Sequence, residues 1–178
     1  MKISSSILFV LIFTFYGCKI IDELTHFDIN YNYTFTLPSF GGVNLDNLNI
    51  ESPDLENDTE SKFEINDTRK DLVERATLKK FNVTILNPIG GNFSFLNKID
   101  ILVSTSILDT ILIAWNHDIP DDIGNCLELE TTSSDLKKYL TSDAIRVRLK
   151  TTSSSPLTED LLLDLKSTVE VDAKIFGI

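Results

Sequence analysis

The residues best equipped for chemistry lie in one stretch, Trp115-Asn116-His117-Asp118-Ile119-Pro120-Asp121-Asp122. Asn116, Asp118, Asp121 and Asp122 carry hard oxygen donors of the kind calcium accepts, and His117 lies among them. Their spacing matches no standard calcium loop, and Pro120 with Gly124 is turn chemistry. The stretch is therefore expected to be a solvated acidic loop between strands. Asp118, Asp121 and Asp122 are metal candidates only in second place, and Asn116, His117, Asp118, Asp121 and Asp122 form the candidate ligand-binding loop. Only one other histidine, His26, exists, so a histidine-rich metal site within the chain is excluded. There is no glycine-rich phosphate loop, paired-cysteine metal motif, HExxH helix or GxSxG elbow. No cofactor is expected.

The two cysteines are Cys18 and Cys126. Cys126 opens Cys126-Leu127-Glu128-Leu129-Glu130, whose alternation puts it on one face with Glu128 and Glu130. Without a histidine motif nearby it is expected to be a partly buried, inert thiol rather than a nucleophile. Acid–base catalysis by carboxylates needs two of them converging with separated pKa values. Every acid here sits in a hydrophilic stretch or on a strand's polar face. The function expected is a non-catalytic binding or structural module, with a small carboxylate-dependent hydrolase as the alternative.

The elements that must position these residues are mainly strands. Phe27, Ile29, Tyr31, Tyr33 and Phe35 alternate with polar residues, which is the pattern of a half-buried strand. Tyr31 and Tyr33 are expected in core packing, with an exposed binding stripe as the other reading. Pro38 and Gly41-Gly42 end that strand, and Val43 to Glu60 reads as a long loop with at most a short strand near Leu48 to Ile50. Further strands are expected in the segments 78–86, 93–96, 99–105, 110–116, 126–130 and 144–152. From Leu161 to Ile175 nearly every odd position is apolar, while Asp164, Lys166, Thr168, Glu170, Asp172 and Lys174 fill even ones. Trp115, the one tryptophan, is expected to plug the core at a strand end.

Two short helices are expected in connections. One covers residues 68–76, where Thr68 and Asp71 imitate a capping box and Leu72, Val73 and Ala76 share a side; the other covers 134–140, capped by Ser133 or Ser134. Many short strands in one modest chain favour two packed antiparallel sheets, an immunoglobulin-like or related β-sandwich.

The chain has 178 residues and a formal charge of −11. That balance argues against nucleic acid and against electrostatic docking on anionic lipid, both of which need clustered Lys and Arg. Acidity is read as solubility before any dedicated cation-binding surface. The N-terminus is a different matter. Lys2 precedes an apolar run from Ile7 to Tyr16, which is shorter than the roughly 20 residues that span a bilayer, and Gly17-Cys18 and the acids Asp22 and Glu23 follow. This is the layout of a secretory signal.

Phe15-Tyr16-Gly17-Cys18 resembles the lipobox of bacterial, Bacteroidota-like lipoproteins, with Gly17 and Cys18 in the matching positions. The resemblance implies removal of residues 1–17 and a diacylglycerol thioether on Cys18, against the plainer reading of an ordinary thiol in a leader. Two or three acyl chains make a stable anchor where one does not. Residues 18–26 would be the lipidated tether, and 27–178 a single β-sandwich domain. Lys19, where an inner-membrane retention signal would have aspartate, implies the outer membrane. The partners implied are the membrane itself and an envelope protein or glycan. Within this reading the sequons at Asn32, Asn57, Asn66, Asn82 and Asn92 are a by-product of composition, and Asp109-Thr110-Ile111 resembles a short bacterial O-glycosylation motif.

Overall fold

A computed structural model describes residues 25–39, 48–52, 55–56 and 59–174. The expected signal segment 1–17, Cys18, most of the tether and Ile175 lie outside the described residues. The strands are β1 (His26–Leu37), β2 (Leu48–Glu51), β3 (Leu55–Glu56), β4 (Val73–Asn87), β5 (Leu96–Ser104), β6 (Ile111–Asn116), β7 (Cys126–Thr131), β8 (Ala144–Ser153) and β9 (Leu161–Ala173). Among the described residues there are also two α-helices, α1 (Thr59–Ile65) and α2 (Lys137–Leu140), and a 3-10 turn at Lys70–Leu72. No helix among the described residues is long and apolar enough to cross a membrane.

The chain is mainly β, and every strand pair is antiparallel. The hydrogen-bonded path runs β1-β9-β4-β7-β6-β5-β8-β2, with β3 also on β8. It curls so that two layers share one core. β7 makes the corner: Cys126 to Leu129 pair with β4, whereas Glu130 and Thr131 pair with β6. The layers of this sandwich are thus joined through a strand that changes partners, a known way of turning a corner between packed sheets.

β9 is the spine. It pairs with β1 along its whole length and with β4 on its other side. Leu161, Leu163, Leu165, Val169, Val171 and Ala173 are buried, as alternation requires of a strand with one face in the core. Asp164 departs from its expected place in water. It is buried between Thr34 and Thr84 on the outer face. One oxygen lies 3.0 Å from Lys166 Nζ, and Oδ1 has no hydrogen-bond partner among the described residues.

The helix expected over 68–76 is replaced by the 3-10 turn and the start of β4. Register shifts in the β4–β9 ladder fall between Val73 and Arg75 and between Leu78 and Lys80. Each bulge adds a residue, so the buried positions Val73, Ala76, Leu78 and Phe81 include two gaps of three. That spacing imitates a helix turn in a strand. Thr68 caps nothing; its hydroxyl donates to the Lys174 carbonyl at 2.8 Å.

Helix α1 falls partly in the expected loop. It shows a single fully buried apolar side chain, Phe63, with buried Thr59, so it has no apolar stripe to read. α2 forms where expected, with Leu136, Tyr139 and Leu140 buried against the sheets. Its first amide is taken by Asp135 rather than by either serine: Asp135 Oδ1 accepts from Lys137 N at 3.0 Å and from Ala76 N at 3.1 Å. The strand expected at 93–96 is a turn instead. Asn92 Oδ1 accepts from Ser94 N, and Leu96 N donates to the Phe93 carbonyl, so the local side-chain bond competes successfully with the ladder.

Candidate functional site

β1 ends the sheet path on one side, and at the other end β8 carries only the short strands β2 and β3, so among the described residues no strand pairing joins the layers on this side of the sandwich. Residues 55–56 and 59–65 lie across it. Leu55 pairs with Ile145 on β8, and α1 reaches across to β1. Thr59 Oγ1 and Tyr31 Oη lie 2.9 Å apart, Lys62 Nζ donates to the Asn30 carbonyl at 3.0 Å, and Phe63 meets Phe27 edge-on.

Beneath this cover is a cavity of about 280 Å³ between the layers. Tyr31 and Tyr33 of β1, Ser167 and Val169 of β9, and Ile145 and Val147 of β8 line it, and Leu136 and Tyr139 of α2 contribute to the wall. Most of the wall is aliphatic or aromatic. Among the described residues that line it, Lys62 is the charged one. The Lys62 ammonium sits 4.0 Å from the centre of the Tyr31 ring, a cation–π placement.

The local sequence explains why space remains. The inward row of β9 reads Leu161, Leu163, Leu165, Ser167, Val169, Val171, so Ser167 is its one small polar member. In register it lies between Tyr31 of β1 and Phe81 of β4. A hydroxymethyl between two rings does not fill the layer as leucine would. The wall is held firmly on the α2 side, where Tyr139 Oη donates to the Asp109 carbonyl at 2.8 Å. Burial, and secondarily the Asp109 carboxylate, push the Tyr139 phenol above its ordinary pKa.

A wider surface trough of about 450 Å³ is lined by His26, Arg75, Lys79, Glu170 and Asp172 among others. Two ion pairs lie along it: Lys79 Nζ is 2.8 Å from Glu170 and His26 Nε2 is 3.8 Å from Asp172. The smaller and more apolar pocket between the layers has the character of a ligand site.

The Asn116–Asp122 loop is exposed at His117, Asp118, Asp121 and Asp122, as expected of a solvated turn. His117 Nε2 lies 2.6 Å from Asp100 Oδ1, Asn116 Oδ1 accepts from Asp118 N at 3.0 Å, and buried Ile119 pins the centre. Among the described residues no three His, Cys, Asp or Glu side chains come together as ion ligands, so Asp118, Asp121 and Asp122 are not converged. Trp115 is not a core plug. It is half-buried beside His117, at 6.4 Å between ring centres, with Asp100 and Glu130 as strand neighbours on a face away from the core. Cys126 shares a face with Glu128 and Glu130 as expected but is exposed rather than partly buried; its sulfur lies 3.5 Å from Thr84 Oγ1. Thr110 of the Asp109-Thr110-Ile111 motif is exposed just before β6.

Sequence reasoning placed Tyr31 and Tyr33 on the core face of a strand but missed Lys62, Ser167 and Tyr139 as cavity residues. The interruption of an apolar alternation by Ser167 was the one signal available.

No protein-family model matches the chain, and no curated protein does. Solved structures with partial likeness include Turnip Yellow Mosaic Virus (10% identity, 85% of this chain and 97% of that one, TM-score 0.30). FLHE is similar at 8% identity, covering 84% of this chain and 98% of that one, with a TM-score of 0.35. The decameric BFDV capsid protein is similar at 8% identity, over 84% and 99% of the two chains, with a TM-score of 0.34. Overlap at this level carries no argument about what the chain does.

Proposed function

We propose that the protein is a non-catalytic binding module of a bacterial cell envelope, held at the outer membrane by lipid on Cys18, which takes a small apolar ligand between its two sheets. The cavity is the observation that supports binding. The described residues of its wall offer mainly aliphatic and aromatic surface, and among them no pair of carboxylates divides acid and base roles. The anchor rests on the sequence Phe15-Tyr16-Gly17-Cys18.

Metabolic labelling of cells with a fatty-acid probe tests the anchor. The wild-type chain is expected to carry label and to sediment with membranes, and Cys18→Ala to lose both. Equal labelling of the two chains removes the anchor from the reading. Turnover of a glycan or peptide by the purified chain, abolished by Asp118→Asn or Asp121→Asn, would replace the binding module with a hydrolase.

A further inference from the structure

On the outer face of the sandwich, away from the cavity, we infer that Trp115 is the centre of a docking surface for a basic protein segment, which lays an arginine guanidinium on the indole between the carboxylates of Glu130 and Asp100. Three observations converge on this partner.

The first is where the chain puts its one tryptophan. Trp115 stands half-buried on the solvent face of β6 instead of entering the core, and among the described residues no hydrogen bond engages its indole N–H. Tryptophan is the side chain that most often anchors a protein partner, since it offers a large rigid surface at little entropic cost. The strands on either side, β5 and β7, and the loop 117–125 all belong to the described residues.

The second is the placing of the acids. In register, Glu130 of β7 and Asp100 of β5 flank Trp115. Neighbouring strands lie about 4.8 Å apart, so both carboxylates are within side-chain reach of a group resting on the ring. His117 Nε2, 2.6 Å from Asp100 Oδ1, holds one oxygen of that carboxylate and leaves Oδ2 without a hydrogen bond among the described residues. Glu130 is exposed and has no ion-pair partner among them. The lysines that adjoin the row are Lys150, across from Asp100 on β8, and Lys80, one residue beyond the last β4–β7 pair; neither forms an ion pair with Asp100 or Glu130.

The third is the match to the partner's charge and shape. A cation gains from the ring face and from both carboxylates. A guanidinium gains most, because it is flat, stacks on an aromatic face and points its N–H groups in its own plane toward flanking acceptors, whereas an ammonium is a compact point charge. At longer range the formal charge of −11 draws basic partners toward the chain.

The single tryptophan is itself the reporter. Hexaarginine, hexalysine and hexacitrulline, the uncharged isostere of hexaarginine, are titrated into the full-length chain in nonionic detergent at about 0.15 M salt, with Trp115 fluorescence and calorimetry read in parallel. Hexaarginine is expected to shift the emission and to bind about fivefold more tightly than hexalysine, and hexacitrulline to leave the emission unchanged. Glu130→Gln should weaken hexaarginine about tenfold and Trp115→Leu, read by calorimetry, about fivefold. Trp115→Phe keeps a ring and should lose less, which keeps the test informative if the leucine chain does not fold. Glu159→Gln, an equal charge change at an exposed position in the loop before β9, should alter affinity less than twofold. Equal losses from Glu130→Gln and Glu159→Gln would reduce the effect to general attraction by an acidic chain and overturn the site. Hexacitrulline or hexalysine binding as tightly as hexaarginine would overturn the guanidinium, and hexaarginine binding without a change in Trp115 emission, or not binding at all, would overturn the docking surface.

Discussion

Substituting Val171→Asp probes the architecture at its spine. Val171 is fully buried and lies in register between Phe27 of β1 and Ala76 of β4, away from the cavity wall. Removing the valine side chain from the core forfeits about 1.5–3 kcal/mol of burial. Placing a carboxyl there without a partner costs several kcal/mol more, because the group must be desolvated or kept protonated. The sum, about 5 kcal/mol, rivals the whole stability of an ordinary domain, about 5–15 kcal/mol. Glu170, one residue earlier, faces outward and pairs with Lys79 at 2.8 Å; both side chains are substantially exposed, so Glu170→Ala should cost about 0–1 kcal/mol. Urea unfolding followed by circular dichroism and by the single tryptophan measures both. Val171→Asp should lower the melting temperature by roughly 10–20 °C and Glu170→Ala by no more than about 4 °C. The Val171→Asp deficit should also shrink as pH falls toward about 4, because the buried acid has a raised pKa and costs least where it is neutral in both folded and unfolded chains. Equal effects of the two substitutions would refute the face assignment of β9.

Asp164→Leu should raise stability by about 1 kcal/mol, since it removes a buried carboxylate with one unpartnered oxygen and leaves only an exposed lysine behind. A loss of stability in the same urea assay would instead assign the Asp164–Lys166 pair a structural role. Tyr139, whose pKa is raised by burial, favours folding fully below the unfolded phenol value of about 10 and progressively less as pH rises toward its folded value. Alkaline unfolding curves should therefore be flatter above pH 10 for Tyr139→Phe than for wild type, although that variant starts less stable for want of the bond to Asp109. Identical slopes would show that the phenol is not the titrating group.

Alternation alone made most of the strands legible, with the faces of β1, β7 and β9 apart from Asp164 and the antiparallel layering, because period-two burial is a local property of each segment. α2 was also legible, since Leu136, Tyr139 and Leu140 keep helical spacing within one turn. The start of β4 was not. Its bulges exist only against the register of β9, and they shift apolar spacing from two to three, so a lone segment reads as helix until its partner is present. α1 depends in the same way on Phe27, Tyr31 and Asn30, which its residues contact from across the chain. The cavity is the extreme case. Its wall draws on residues from Tyr31 to Val169, and empty space is a property of how layers meet rather than of any stretch of sequence. The sequence alone supplied the N-terminal lipobox-like cysteine, a local motif that needs no fold; the tertiary structure alone decided that Ser167 leaves a gap and that Lys62 stands beside it.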